Sequence, residues 1–131
     1  AKNGSLSFRL SVAEPLDTSF LGEEDNLNLY RIVQESLTNI AKHAQASEAT
    51  VYVRNAVGAE EAGLYIFVSD DGAGFSPRKE LRRGEKHFGL KGMKERAALI
   101  GASLSVNSEK GEGTQISVFK SKNTIRNNRG G

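Results

Sequence analysis

The chain contains no cysteine, which excludes disulfides and thiolate metal sites. No apolar run approaches the roughly 18 residues that a membrane-spanning helix needs. The opening Ala1-Lys2-Asn3-Gly4 has no signal-peptide hydrophobic region. It also has no initiator methionine, so a fragment of a longer protein is expected, and the topology of that parent stays open. There is no internal repeat and no low-complexity linker. What is present suits one domain with a real core: 131 residues, 37% apolar and 26% charged. The net charge of +2 misleads, because Lys120, Lys122, Arg126 and Arg129 have no acid beside them in sequence. Residues 1–119 carry 14 basic and 16 acidic residues. The basicity therefore belongs to a polar segment, 121–131, expected to be a disordered tail. That is weak ground for nucleic-acid binding.

The hydrophobic pattern predicts the order β-α-β-β-loop-α-β-β. Ser5 to Val12 alternates Leu6, Phe8, Leu10 and Val12, which are expected to point inward. Asp25 to Ala44 reads as a long helix with Asp25 or Asn26 as N-cap. Strands are expected over Ala49 to Val57 and over Gly63 to Ser69, the second central in its sheet. Ser76 to Phe88 is polar, contains Pro77 and reads as a loop. A helix over Leu90 to Ile100 stops at Gly101. Strands over Ala102 to Asn107 and Thr114 to Phe119 are joined by a glycine-rich hairpin. This order predicts an α/β sandwich: a mixed, largely antiparallel sheet with helices on one face.

Four short stretches carry chemistry. Val68-Ser69-Asp70-Asp71-Gly72-Ala73-Gly74-Phe75 ends an apolar strand in two carboxylates and a glycine turn. Such a turn lets a flat ligand lie on bare backbone beside a fixed acid, an acceptor suited to the exocyclic amine of adenine. An ordinary Asp-Gly turn explains the same residues. On the long helix, Tyr30, Val33, Leu37, Ile40 and Ala44 share one face, and Glu35, Asn39, Lys42 and His43 the roughly opposite one. Ile32 falls in that polar sector, which argues against full solvation. An amide oxygen at Asn39 is a plausible single protein ligand for Mg²⁺, which keeps several waters and binds through phosphates. Lys86-His87-Phe88-Gly89-Leu90-Lys91-Gly92-Met93 opens the second helix and offers backbone N–H groups to an anion. Arg78 to Arg96 holds eight basic residues against three acids. Gly84 and Gly89 have the spacing of a phosphate loop, but Leu90 stands where its lysine must be, which argues against that class. Last, Gly111-Glu112-Gly113-Thr114 puts a hydroxyl at the head of the final strand.

In this order the four stretches resemble the ATP-binding domain of the gyrase, heat-shock chaperone, histidine kinase and mismatch-repair superfamily, over roughly residues 25–119. Glu35 to Ala44 is similar to the N box, Asp70 to Phe75 to the first glycine box, His87 to Ala97 to the second, and Gly111 to Thr114 to the closing Gly-Thr element. The His-Phe-Gly-Leu-x-Gly-Met-x-Glu-Arg-Ala run resembles sensor histidine kinases that partner LuxR-type response regulators. The resemblance implies a Bergerat-type fold and a protein-histidine kinase catalytic domain that uses ATP and Mg²⁺. It implies that Asn39 holds Mg²⁺, that Glu35 orients metal-bound water or assists proton transfer, and that Lys42 and His43 lie near the phosphates. Glu35, Asn39 and Lys42 form the implied catalytic set. Asp70 would accept from the adenine amine, Gly72 and Gly74 would shape the pocket, and Thr114 would contact the adenine end. His87, Gly89, Leu90 and Gly92 would line the phosphate side under a lid of about residues 76–88.

The implied partners are a histidine-bearing dimerisation domain of the same parent and a response regulator, with no direct nucleic-acid or membrane contact by this domain. The implied location is cytoplasmic, with a parent that can be anchored in the inner membrane. Two departures stand out. Lys86 replaces the glycine that relatives usually place before the His-Phe-Gly run. The only histidines, His43 and His87, precede Ala44 and Phe88, outside the His-Asp or His-Glu context of a phosphoacceptor helix, so the acceptor must lie elsewhere. A stand-alone anti-sigma-factor serine kinase of the same fold and a non-catalytic nucleotide sensor are the rival readings.

Overall fold

The structure is a computed structural model that describes residues 5–43, 45–73 and 89–123. Five strands and two helices occur among them: β1 (Ser7–Val12), α1 (Glu23–His43), β2 (Glu48–Asn55), β3 (Gly63–Asp70), α2 (Leu90–Leu99), β4 (Ser103–Ser108) and β5 (Thr114–Ser121). The sheet order is β1-β2-β3-β5-β4. Only β1 and β2 run parallel; the other neighbours are antiparallel. This is the expected mixed sheet, and β3 is central, between β2 and β5. The loop expected over 76–88 and the residues after 123 lie outside the described residues.

Period two sorts β3 and β5 into faces. Leu64, Ile66 and Val68 of β3 and Ile116 and Val118 of β5 are buried beneath the helices. Tyr65, Phe67 and Phe119 take the other face, where Tyr65 stacks on Phe67 at a centroid distance of 5.4 Å and meets Phe119 tilted by 38° at 4.6 Å. The core is closed by Leu29, Ile32 and Ile40 of α1, by Leu90, Met93 and Ala97 of α2, and by Ile100 just beyond it. α2 ends as its sequence predicts: Gly101 adopts φ +68° and its N–H donates to Ala98 O.

Three expectations need correction. First, α1 begins at Glu23, two residues before Asp25. The Asp25 carboxylate instead reaches back to accept from Gly22 N–H at 2.9 Å, the third-residue half of a capping box. Second, the buried stripe of α1 is Leu29, Ile32, Ser36 and Ile40, while Tyr30 is 60% exposed. Ile32, fully buried, marks the true inward direction, and the helix is rotated so that Glu35 and Asn39 become half-buried. Third, Phe8, Leu10 and Val12 of β1 are exposed, not inward-packed, and Leu6 lies before the strand, partly buried against the core. They pair with Ala49, Val51 and Val53 on the helix side of the sheet, but no described helix covers this edge.

Lys120 and Lys122 also find acids that the linear sequence keeps remote. Lys120 follows the inward parity of Ile116 and Val118 and is 2% exposed. Its amine donates to Ile100 O at 2.6 Å and sits 3.6 Å from Asp25 Oδ1, the pairing that a buried ammonium needs. Lys122 bridges to Asp17 at 3.2 Å.

Candidate nucleotide site

The site is built where β3 ends. Strand parity turns Asp70 to the helix side, half-buried, and Asp71 away from it. Asp70 Oδ1 accepts from Gly72 N–H at 2.7 Å. Burial pushes its carboxyl above the ordinary range, the Gly72 hydrogen bond pulls the other way, and the charge of Asp71 adds a further upward push. No described residue bonds to Oδ2. Asp71 is spent on structure. It accepts from Glu48 N–H at 3.0 Å and from Ser47 N–H and Ser47 Oγ at 2.9 Å each. Those bonds hold its carboxyl below the ordinary range. They also fasten the glycine turn to the segment linking α1 to β2.

The β4–β5 hairpin closes one side. Thr114 lies opposite Asp70 in the β3–β5 register, and its hydroxyl is 2.7 Å from Ser108 Oγ, which also donates to Gly113 O at 3.1 Å. Gly113 adopts φ +82°, and a Cβ there would overlap the backbone carbonyl of Asp70, so only glycine lets the hairpin approach this closely. Gly111 N–H donates to Ala73 O. Between the two elements lies a cleft of about 390 Å³, lined by Asp70, Ser108, Glu112, Thr114 and their neighbours.

The other side lies between α1 and α2. Gly89 precedes α2 at φ +57°, and a Cβ there would overlap the Glu35 carboxylate. Glu35 is thereby set at the helix N-terminus, which has no side-chain cap. Asn39 lies one turn further along α1, half-buried, and Lys42 is exposed. Leu90 is 2% exposed, so its side chain belongs to the core and it can offer a ligand only its backbone N–H. Gly92 is exposed, and a Cβ there would meet nothing within 4 Å. Of the remaining sequence-predicted residues, His43 ends α1 with its side chain undescribed, and Gly74 and His87 lie outside the described residues.

The sequence reading missed Asp71 with Ser47 as a clamp, the steric demand at Gly113, and Arg96. Arg96 donates to Asn28 Oδ1 at 3.2 Å and ties α2 to α1, a use for the Glu-Arg-Ala run that spacing alone does not reveal. Doubled carboxylates at a strand end were the available signal for Asp71, since two adjacent acids on opposite strand faces cannot share one role.

Residues 24–124 match the sequence model of the histidine kinase-, DNA gyrase B- and HSP90-like ATPases. The chain belongs to that family. Its curated relatives are sensor kinases. The sensor histidine kinase LiaS of Bacillus subtilis is 42% identical over 97 residues, covering 74% of this chain and 24% of that protein. The nitrate/nitrite sensor protein NarQ of Escherichia coli is 33% identical over 112 residues, covering 86% of this chain and 19% of that protein. The chain thus spans about a fifth to a quarter of these relatives. The histidine kinase domain of the Erythrobacter litoralis EL346 blue-light activated histidine kinase superposes with a TM-score of 0.65 at 24% identity, over 89% of this chain and 52% of that one. This likeness shows the fold. Among the described residues no helix is long and apolar enough to cross a membrane.

Proposed function

We propose that this domain binds Mg-ATP and transfers the γ-phosphoryl group to a histidine on a separate dimerisation domain of the same protein, from which a response regulator is served. The single observation carrying the nucleotide half is Asp70: a half-buried carboxylate whose Oδ1 accepts from Gly72 N–H while no described residue bonds to Oδ2, beside a hairpin that Gly113 lets close against the Asp70 backbone. An amine on a flat base fits there, so Asp70 selects adenine and Thr114 borders its edge. Gly72, buried beside Asp70, shapes the pocket wall.

Glu35 and Asn39 supply one carboxylate and one amide oxygen. This sparse, hard donor set suits Mg²⁺, which draws its other ligands from water and phosphate. Bound there, the ion would neutralise phosphate charge. Asn39 would hold the metal, Glu35 would orient water on it, and Lys42 and His43 would face the phosphates. The N–H groups of Gly89 and Leu90 at the start of α2 suit the phosphate tail, with Gly92 in the same first turn. The nitrogen of the acceptor histidine forms the new P–N bond while the β,γ-bridging P–O bond breaks and ADP leaves. The protein contributes position and charge neutralisation rather than covalent chemistry.

Titration of the chain with ATP, with and without Mg²⁺, tests the reading. Saturable binding strengthened by Mg²⁺ is expected, and Asn39→Ala should remove the Mg²⁺ dependence while keeping metal-free binding. No adenine-nucleotide binding up to millimolar concentration would sink it.

A further inference from the structure

Three neighbouring strands end in one polar row. Asp70 of β3 lies opposite Thr114 of β5, and Thr114 lies opposite Ser108 of β4. All three share the helix side, by the parity that turns Val68, Ile116 and Val106 to the core. Ser108 is buried, Asp70 and Thr114 are half-buried, and the cleft beside the hairpin is lined by all three. Hydrogen counting fixes what this row can offer. A serine or threonine hydroxyl has one hydrogen and two lone pairs. Ser108 Oγ donates to Gly113 O at 3.1 Å. Its hydrogen is thereby committed, so at the 2.7 Å contact with Thr114 Oγ1 it accepts. Thr114 donates to Ser108 and keeps only lone pairs for the cleft. The Asp70 carboxylate, with Oδ1 on Gly72 N–H, also has no hydrogen to give. Two strands therefore face a ligand with acceptors, and neither with a donor.

We infer that Ser108 is the positioning residue that sets the base preference: by taking the Thr114 hydrogen it makes Thr114 an acceptor, so that Asp70 and Thr114 together select a purine with a primary 6-amine and reject one with a 6-carbonyl. The spacing suits an amine. Side chains opposite each other on paired strands stand about 4.5–5.5 Å apart at Cβ. The two acceptors of one planar amine lie about 5 Å apart, given bonds of about 2.9 Å along hydrogens about 120° apart. An amine thus brings two hydrogens to two acceptors. A carbonyl brings lone pairs against lone pairs, and the Thr114 hydroxyl does not turn to meet it while Ser108 holds its hydrogen. Discrimination by an unmet polar group is the strong kind, because nothing else in a half-buried site compensates it. The same Ser108 bond holds the carbonyl of Gly113, the glycine that lets the hairpin close on the Asp70 backbone. This inference rests on the proposed nucleotide reading and adds to it a residue that touches no ligand.

The chain is titrated with Mg-ATP and with Mg-ITP, whose base carries a 6-carbonyl and the ring proton that goes with it. The wild type should prefer ATP by about tenfold or more. In Ser108→Ala the Thr114 hydroxyl is free to turn and donate to a carbonyl, so the ATP-to-ITP affinity ratio should fall by about tenfold. In a Thr114→Val background, Ser108→Ala should leave the ratio unmoved, since no hydroxyl remains to orient. Equal losses for both nucleotides in Ser108→Ala would overturn the inference, because a residue that only braces the hairpin weakens both alike. So would a ratio that Ser108→Ala shifts equally with and without the Thr114 hydroxyl. Purine riboside triphosphate, which has no 6-substituent, gives a reading on the unaltered chain. It should bind between ATP and ITP, and ITP binding as tightly as the unsubstituted base would also overturn the inference. ATP binding with an unmoved ratio strikes this inference alone. Absence of binding of any of the three nucleotides by the wild type strikes the proposed function and the inference together.

Discussion

The two flanks of α1 are built on opposite principles. On the α2 side, polar groups are spoken for: Asn28 by Arg96, Glu35 against Gly89, Ser36 by Met93 and by its own Ile32 carbonyl. The neighbouring β3 corner continues this, with Asp71 clamped and Gly113 in contact. On the β1 side the surface is largely apolar, with Leu10 more than two-thirds exposed. A ligand as small as a nucleotide needs positions fixed in advance, because its few contacts must all be made at once. One flank is therefore held by polar ties, and the other, among the described residues, is left apolar and open.

If the comparison holds, substitutions should hurt steeply on the fixed side and barely on the open one. The largest loss is expected for Gly113→Ala, because a side chain at φ +82° is strained and the Cβ meets the fixed Asp70 carbonyl. Destabilisation of about 2–4 kcal/mol is expected, read by denaturant midpoint. A change below 0.5 kcal/mol would show that the corner is softer than drawn.

Asp70→Asn should come next and should split two measurements. Loss of a charge-assisted hydrogen bond costs about 1.5–3 kcal/mol, roughly tenfold to 150-fold in ATP affinity, with a smaller loss for GTP. Stability should move the other way. A carboxyl raised by burial favours the folded state below its unfolded pKa, and that advantage fades as pH rises through the folded value. At neutral pH the charge is thus a burden, and Asn should raise the unfolding midpoint while binding falls. Equal losses for both nucleotides would remove Asp70 from base recognition.

Asp71→Asn should show the reverse signature. Its carboxyl is held down by Glu48 and Ser47, so its contribution is present above the unfolded carboxylate range and lost as pH falls through the lower folded value. The variant should unfold at lower temperature at pH 7 and converge with wild type in acid. A deficit that persists undiminished at low pH would mean that geometry, not charge, is what the clamp supplies. The smallest effect belongs to the open flank: Leu10→Ser should change stability by no more than about 0.5 kcal/mol. A larger loss in the isolated chain would mean that something already covers β1.

The order of elements, the central position of β3 and the Gly101 stop were legible in the sequence. Period, punctuation and a run of ordered motifs are local signals, and local stereochemistry imposes them wherever the chain goes. The faces were not. Tyr30 and Ile32 stand two residues apart, both apolar enough to be buried, and only the packing of α1 on β3 beside α2 decides that Ile32 goes in and Tyr30 out. Leu6, Phe8, Leu10 and Val12 carry the alternation of a half-buried strand, yet alternation says only which residues share a face. Whether that face is covered depends on where the helices lie, and in the described residues they lie over β3, β5 and β4. The neighbours Asp70 and Asp71 read as a pair. Their fates part because strand parity turns one toward the helices and the other toward Ser47, a residue 24 positions away. Lys120 likewise reads as part of a basic tail until the fold brings Asp25 and the end of α2 to it. What the sequence by itself determined were the elements and the chemistry available at each; the burial, pairing and charge state of those groups were decided by contacts between segments distant in the chain, which no local pattern encodes.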